Sequence, residues 1–146
     1  MDALTIIAIA IFLVLMLGMS FTAGTQASIS QLAYQWKWLL LVALWSQVLL
    51  LPQMLDITPQ NWQWLPFLGI GGVIFCGHAS ITEKVSELVH IIAAAVAFTA
   101  LTGWVMSMNS HYLLPLVVCA MCGRERLVWR VEVGLVISVY LTLLVC

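Results

Sequence analysis

Residues 3–21 have the sequence ALTIIAIAIFLVLMLGMSF, a stretch of nineteen residues without a charge. A hydrocarbon layer about 30 Å thick needs about 20 helical residues to cross it, so this stretch predicts a transmembrane helix. Met1 and Asp2, which precede it, lack the basic segment that a cleaved signal peptide requires. We therefore expect this helix to remain in the protein as its first span.

The composition of the whole chain also indicates a lipid environment. Of the 146 residues, 64% are hydrophobic and 8% are charged, whereas about a quarter of the residues in soluble domains are charged. The length suits one compact bundle, and we treat residues 1–146 as a single integral membrane domain. The formal net charge of -1 provides no field that would attract nucleic acid, so we expect no nucleic-acid partner.

More apolar stretches follow, separated by polar residues or by proline. Thr58-Pro59-Gln60-Asn61 marks a turn, because proline fixes its own φ and disfavours helix in the residue before it. Residues 112–122, around Pro115, could span only roughly half of a bilayer as a helix. We predict an all-α polytopic transmembrane bundle with six spans, and the alternative is five spans plus a short or re-entrant segment. The predicted spans after the first are 38–55, 62–79, 88–105, 112–122 and 127–146.

The basic residues indicate the orientation, because cytoplasmic loops carry an excess of lysine and arginine. Lys37 falls in the first loop, Lys84 in the third, and Arg124, Arg126 and Arg130 in the fifth. With six spans these loops share one side of the membrane, whereas five spans would divide the cations between two sides. The pattern favours six spans with both termini outside. The compact chain, which carries no sorting signal, leads us to expect a bacterial cytoplasmic membrane.

Small and aromatic residues predict how the spans pack. Glycines in the third span and alanines between residues 93 and 100 in the fourth would let these two helices approach closely. The connection between them is short, and Ser80-Ile81-Thr82-Glu83 has the spacing of a capping box. We therefore expect an antiparallel pair at the packed centre of the bundle. Tryptophan prefers the headgroup level, which predicts Trp36, Trp38 and Trp129 at the inner interface and Trp62, Trp64 and Trp104 at the outer one.

Ionisable side chains near the inner membrane surface form the main candidate site, because charged groups within a span are costly and usually functional. Glu83, Glu87 and His90 are spaced i, i+4 and i+7, so they share one face of the fourth helix. His78 ends the third span, and Glu132 lies a similar distance into the last. The candidate catalytic residues are therefore His78, Glu87, His90 and Glu132. Cysteines 76, 119 and 122 are predicted at the same depth.

A metal or acid/base site is the more specific interpretation of this cluster. Histidine is an ordinary zinc ligand, and zinc-bound water could hydrolyse an ester or amide of a lipid. The candidate metal ligands are His78, Glu87 and His90. Glu87-Leu88-Val89-His90 occurs once, however, whereas bundle sites of the Glu-x-x-His type carry two copies. His111 is predicted on the opposite face, about 30 Å away. Haem held by two histidines has weaker support, and the cofactor remains unknown.

Structural roles account for the same residues. Glu83 suits a helix cap, and Glu132 can pair with a nearby arginine or lie among headgroups. A hydrogen-bonded structural role explains His78 or His90 as well as a functional one does. Cysteines in apolar sequence usually act as small hydrophobic residues. Cys119-Ala120-Met121-Cys122 lacks the context of a redox motif.

Two local features resemble a group of known membrane proteins. Ile29-Ser30 follows the first span, and His90 opens the alanine-rich fourth helix as His90-Ile-Ile-Ala-Ala-Ala. With six spans, this pattern resembles the small families grouped with DRAM- and Sfk-like proteins. Most of these are uncharacterised membrane proteins, and some are tied to lipid handling. The resemblance implies a six-span fold. We expect membrane lipids as partners.

Three functions fit these observations. The leading hypothesis is non-enzymatic: the protein binds a lipid, a small hydrophobic molecule, another membrane protein or a second copy of itself. The rival is an intramembrane enzyme, such as a metal-dependent lipid hydrolase, built on the inner cluster. The third is a small transporter subunit, because Glu87 lies at the edge of the hydrocarbon and interrupted helices often line ion sites. Convergence of the four candidate catalytic residues on one cavity would favour the enzyme.

Overall fold

Helices make up nearly all of the described chain. The computed structural model describes residues 2–23, 33–81, 87–122 and 126–146, and their side chains except at 22–23, 33–35, 80–81 and 87. No strand occurs in these ranges. The predicted capping box at Ser80 to Glu83, as well as Lys84 and Arg124, lies wholly or partly outside them. The helices are α1 Ala3–Ala23, α2 Ala33–Ser46, α3 Leu51–Ile57, α4 Trp64–Ile81, α5 Glu87–Met108, α6 Leu114–Met121 and α7 Leu127–Val145.

Four helical stretches in the described ranges are long and apolar enough to cross a membrane. They are Ala3–Phe21, Trp36–Ile57, Leu88–Met108 and Leu127–Val145. Their outward faces carry large apolar side chains, such as Val14, which is 68% exposed. A soluble protein rarely exposes apolar surface over such lengths. The chain is a helical bundle suited to a membrane, as the sequence predicts.

A proline interrupts the second of these stretches. Pro52 has no N–H to donate to the carbonyl of Val48, and the N–H of Leu51 takes that acceptor instead. The bond joins residues three apart, so the chain tightens into the 3-10 turn Gln47–Leu50 between α2 and α3. The turn places Gln47 in the interior of the bundle, where its side chain is buried.

The glycine and alanine faces of α4 and α5 meet as the sequence predicts. A Cβ atom built on Gly72 would lie 2.7 Å from the backbone nitrogen of Ala97 and 2.9 Å from the carbonyl oxygen of Ala93. Only a glycine permits this backbone approach. Cys76, further along α4, contacts His90 near the start of α5, so the two helices run antiparallel.

The short helix α6 lies against α7 in the opposite direction. Its 8 residues cover about 12 Å at 1.5 Å per residue, in agreement with the short segment predicted here. Gly134 of α7 contacts this helix, and a Cβ atom there would lie 2.8 Å from the Cα of Leu116. Before α6 begins, the hydroxyl of Tyr112 lies 3.9 Å from the sulfur of Cys146 at the far end of α7.

The buried core includes side chains from α1, α2, α3, α4, α5 and α7. Phe67 and Phe75 of α4 are turned outward. Trp104, near the end of α5, has no exposed surface. Its indole N–H has a buried hydrogen-bond partner in Thr58, which follows the end of α3.

Candidate functional site

A cavity of about 150 Å³, which we call the central cleft, lies between five of the helices. One α1 residue, Phe12, and rows of side chains from α2, α4, α5 and α7 line it. Its walls are almost entirely apolar, and polar groups occur only at Gln47, Cys76, Glu132 and Tyr140 among the described lining residues.

Helical periodicity explains how each helix lines the cleft. The α7 residues are Glu132, Leu135, Val136, Val139 and Tyr140, which are spaced i, i+3, i+4, i+7 and i+8 and so form one face. The same spacing recurs on α5 at residues 94, 97, 98 and 101. Leu40 and Leu44 of α2 are followed at the same spacing by Gln47 in the 3-10 turn. Glu132 and Tyr140 therefore face the cleft, because they lie on the same face of α7 as its apolar lining residues.

Cys76, His90 and Glu132 come together at one end of the central cleft. Nδ1 of His90 lies 3.5 Å from the Cys76 sulfur and 3.2 Å from the Cys76 carbonyl oxygen. Nε2 of the same ring lies 3.8 Å from that sulfur. Glu132 lines the cleft beside Cys76 and acts electrostatically on its thiol. A thiol, an imidazole and a carboxylate thus lie at the same end of the bundle.

A hydrogen-bonded polar group closes the other end. The Tyr140 hydroxyl donates to Oε1 of Gln47 over 2.8 Å, and Nε2 of Gln47 donates to the Ser46 hydroxyl oxygen over 3.1 Å. Ser46 in turn donates to the carbonyl of Ala43 at 2.7 Å. All four residues are buried. Because each polar atom in this chain has a partner, the group is stable in an apolar interior.

The four predicted catalytic residues do not all converge. Glu132 lines the cleft, and His90 contacts the cleft residue Cys76. His78 lies on another face of α4, where its ring packs edge-on against Trp45 with centroids 5.8 Å apart. Its Nδ1 lies 3.1 Å from the carbonyl oxygen of Ile74, one turn earlier in the same helix. Glu87 begins α5, but its side chain is outside the described part of the structure.

Metal ligation has no support among the described side chains, since none of them form a group of three His, Cys, Asp or Glu residues able to hold an ion. The predicted set of His78, Glu87 and His90 is not tested by this result, because the side chain of Glu87 lies outside the described part of the structure. Cys119 packs against α7, where a Cβ atom on Gly134 would lie 2.9 Å from its own Cβ, and Cys122 is exposed. Neither lines the central cleft. His111 is exposed beyond the end of α5.

Two of the site residues, Gln47 and Tyr140, escape sequence-based prediction. Gln47 and Tyr140 are uncharged, so a search for ionisable groups passes over them. Their position within otherwise apolar stretches is nevertheless a visible signal, because a buried amide or hydroxyl in a span requires a partner. The apolar sequence around Cys76 predicts a packing role, and only the contact with His90 reveals its reactive neighbour.

No protein-family model matches this chain, and no curated protein or solved structure does either. The function of the central cleft has to follow from its own residues.

Proposed function

We propose that this protein is a polytopic membrane protein that binds the apolar part of a lipid, or a small hydrophobic molecule, in the central cleft. The observation that carries the proposal is the composition of the lining: apolar side chains from five helices enclose the cavity, and polar groups occur at its two ends. Ligand sites commonly combine apolar walls with a few placed polar groups that fix orientation.

The dimensions of the cleft suit a narrow apolar ligand. Its volume of about 150 Å³ equals that of engineered apolar cavities that take up benzene. Glu132 and Tyr140 lie eight residues apart on α7, which corresponds to about 12 Å along the helix axis. An acyl or isoprenoid segment would fit this elongated space with its polar end beside Glu132.

Six crossings are the topology that we propose for the bundle. α4 runs antiparallel to α5 along the stretch from Cys76 to Gly69, and α5 is long enough to cross. Tyr112, just before α6, lies beside Cys146 at the end of α7, and Leu116 and Cys119 of α6 lie beside Gly134 nearer the start of α7, so α6 runs antiparallel to α7. These relations support crossings by α4 and α6 in addition to the four long stretches.

The orientation proposed from the basic residues puts both termini outside, in a bacterial cytoplasmic membrane. On that orientation Cys76 and Glu132 belong to the cytoplasmic half of the bundle. Cys76 lies five residues before the end of α4, and Glu132 lies five residues after the start of α7. Each is therefore about 8 Å along its helix axis from that helix end. A lipid of the inner leaflet would therefore enter the cleft with its headgroup near Glu132.

The enzyme alternative loses its main support, because His78 packs on Trp45 instead of joining His90 and Glu132. A cavity shared by all four candidate residues was the condition that favoured a hydrolase. Of the four, Glu132 lines the central cleft, and His90 contacts Cys76, which also lines it.

Photo-crosslinking tests the binding proposal. The purified protein in lipid nanodiscs would be irradiated with a diazirine-labelled fatty acid, and the labelled residues mapped by mass spectrometry. Val136→Phe places a ring in the cleft, whereas the matched control Ile137→Phe changes a neighbour that is 45% exposed on the outside. We expect labelling of cleft residues that falls about tenfold in Val136→Phe, equivalent to about 1.4 kcal/mol, and stays unchanged in the control. Labelling confined to outward residues, or equal in both variants, would refute the proposal.

A further inference from the structure

The polar group at the Gln47 end of the central cleft has hydrogen bonds whose directions are fixed. Nε2 of Gln47 lies 3.4 Å from the carbonyl oxygen of Ala43, and a carbonyl oxygen only accepts hydrogen bonds. The amide nitrogen therefore faces Ala43, and Oε1 of Gln47 faces the Tyr140 hydroxyl 2.8 Å away. Because an amide oxygen is also only an acceptor, the Tyr140 hydroxyl has to donate to it.

All the side-chain protons of this group are used within it. The Ser46 hydroxyl donates to Ala43 over 2.7 Å, so the Ser46 oxygen accepts the other Gln47 N–H over 3.1 Å. The single hydroxyl proton of Tyr140 goes to Gln47. Gln47 and Tyr140 therefore have only oxygen lone pairs left to offer a ligand. Apart from the bond between them, no donor from the described part of the chain reaches either oxygen.

These two acceptors lie at the wall of an apolar cavity. Gln47 and Tyr140 both line the central cleft, so the hydrogen bond that joins them borders its space. Phe12 holds the Tyr140 ring in place, since the two rings meet edge-on with centroids 6.0 Å apart. Gln47 and Tyr140 are each 7% exposed. Water competes little at such a position, and a hydrogen bond formed there is stronger than one at the surface.

The cleft ends at this pair because the next layer of the bundle is tightly packed. Leu143, three residues beyond Tyr140 on α7, and Met54 of α3 are at most 1% exposed, and neither lines the cleft. The end group of a ligand that fills the cleft therefore stops beside Tyr140 and Gln47.

We propose that the ligand of the central cleft is an apolar molecule with a terminal hydroxyl, an alcohol or a phenol, which donates its proton to the oxygens of Tyr140 and Gln47. This inference rests on the proposed binding function and adds the chemical class of the ligand. An ether or a ketone offers only acceptors, so it would face the acceptors of the cleft without a hydrogen bond. Both a small phenol and a lipid chain with a hydroxyl at its far end have the required chemistry.

Competition against the photo-crosslinking fatty acid tests this preference. The protein in nanodiscs would be incubated with 4-ethylphenol or with its isomer 4-methylanisole, an ether of the same composition that has no hydroxyl. The concentration of each compound in the lipid would be measured. We expect 4-ethylphenol to halve the labelling of cleft residues at a lipid concentration about tenfold below that of the ether, because the two differ by one buried hydrogen bond.

Paired variants locate the recognition of the hydroxyl. Tyr140→Phe/Gln47→Leu removes both acceptors, so the two isomers should compete equally, and the ether should compete as it does in the wild type. Thr142→Val is the matched control, because the Thr142 hydroxyl is buried on the same helix, donates to the carbonyl of Ser138 and does not line the cleft. The preference for the phenol should be unchanged in this control.

A second pair of compounds separates the two sources of the hydroxyl. 10-Hydroxydecanoic acid would be compared with decanoic acid, because a chain of this length suits the distance of about 12 Å between Glu132 and Tyr140 along α7. A gain of about tenfold from the added hydroxyl would assign it to the end of a lipid chain. A gain with 4-ethylphenol alone would assign it to a small molecule.

The wild-type comparison can overturn the inference without any variant. Equal competition by 4-ethylphenol and 4-methylanisole, or competition by neither, would remove the proposed ligand class and leave the binding function in place, since the cleft would still be labelled. A preference for the phenol that persists in Tyr140→Phe/Gln47→Leu would also overturn it, because the hydroxyl would then be recognised elsewhere. Absence of cleft labelling in the wild-type protein would remove both proposals.

Discussion

The indole N–H of Trp104 donates to the hydroxyl of Thr58 over a distance of 2.6 Å in the buried interior of the bundle. Thr58 follows α3, and its hydroxyl donates a hydrogen bond to the carbonyl oxygen of Met54. The end of α5 is thereby tied to the end of α3 by two consecutive hydrogen bonds. Trp104 has no exposed surface and Thr58 is 4% exposed, so water cannot replace either bond.

Thr58→Val is expected to destabilise the protein by about 1–3 kcal/mol, because the isosteric side chain leaves the Trp104 N–H buried without its acceptor. Thermal unfolding in detergent micelles would measure the change. Thr99→Val is the matched control, since Thr99 is exposed and its hydroxyl bonds within its own helix to the carbonyl of Ala95. A loss of stability as large in Thr99→Val as in Thr58→Val would contradict this account of the bond.

Gly72 and Gly71 allow a second paired test. Gly72→Ala is expected to cost about 1–3 kcal/mol, since the new Cβ meets the backbone of Ala93 and Ala97 and forces α4 and α5 apart. A Cβ atom added to Gly71 would meet no neighbouring atom within 4 Å, so Gly71→Ala should be neutral or slightly stabilising through helix propensity. Unfolding in detergent would compare the two. Equal effects would show that close approach of the helices is unimportant.

The sequence predicts most of the fold because lipid imposes strict rules. A span needs a minimum length and few charges, and these conditions are local. Predicted 88–105 therefore matches α5 at Glu87–Met108, and predicted 127–146 matches α7 at Leu127–Val145. Trp104 shows where local rules fail: its burial depends on Thr58, a partner 46 positions away that the sequence pattern does not reveal.

In the candidate site, too, the sequence predicts local properties but not contacts between distant residues. Position along a span is readable from the sequence, and His78, His90 and Glu132 are found near the end of α4, the start of α5 and the start of α7. Rotation of each helix about its axis is not readable in an evenly apolar stretch, because no polar face marks the outward side. His78 consequently faces Trp45, while Cys76, two residues earlier, faces His90 and the central cleft.

Removal of the Tyr140 hydroxyl should destabilise the cleft wall. Tyr140→Phe leaves Oε1 of Gln47 buried without this donor, at an expected cost of about 1–3 kcal/mol. The double variant Tyr140→Phe/Gln47→Leu removes both partners, so its stability should be closer to the wild type than the sum of the single changes predicts. A double-mutant cycle in detergent measures this coupling. Strict additivity would mean that the two side chains do not interact.

Asp2, which precedes the first span, makes a pH-dependent contribution to the stability of the folded protein. The Thr5 side chain and the Thr5 backbone N–H, which donates to Oδ1 of Asp2 over 2.7 Å, lower the pKa of the Asp2 carboxyl below its ordinary value. Because the pKa of Asp2 is lower in the folded state, the carboxylate stabilises the folded protein at any pH above the pKa of the unfolded state. This stabilisation is lost as the pH falls through the pKa of the folded state. Asp2→Asn keeps an N-cap but should remove the pH dependence. Amide exchange at the first turn of α1, compared at pH 7 and pH 3, would detect this; an unchanged pH response in Asp2→Asn would contradict it.

Native cysteines can test the six crossings. Cys122 follows α6 and Cys146 follows α7, and both are exposed. With six spans and an outside N-terminus, a membrane-impermeant maleimide should label Cys146 from the outside of intact cells and reach Cys122 only after inside-out vesicles are prepared. Variants that retain one of these cysteines, with the other three replaced by serine, would be compared before and after detergent addition. Five spans with a re-entrant α6 would reverse the two results, because α7 would then begin outside and end in the cytoplasm.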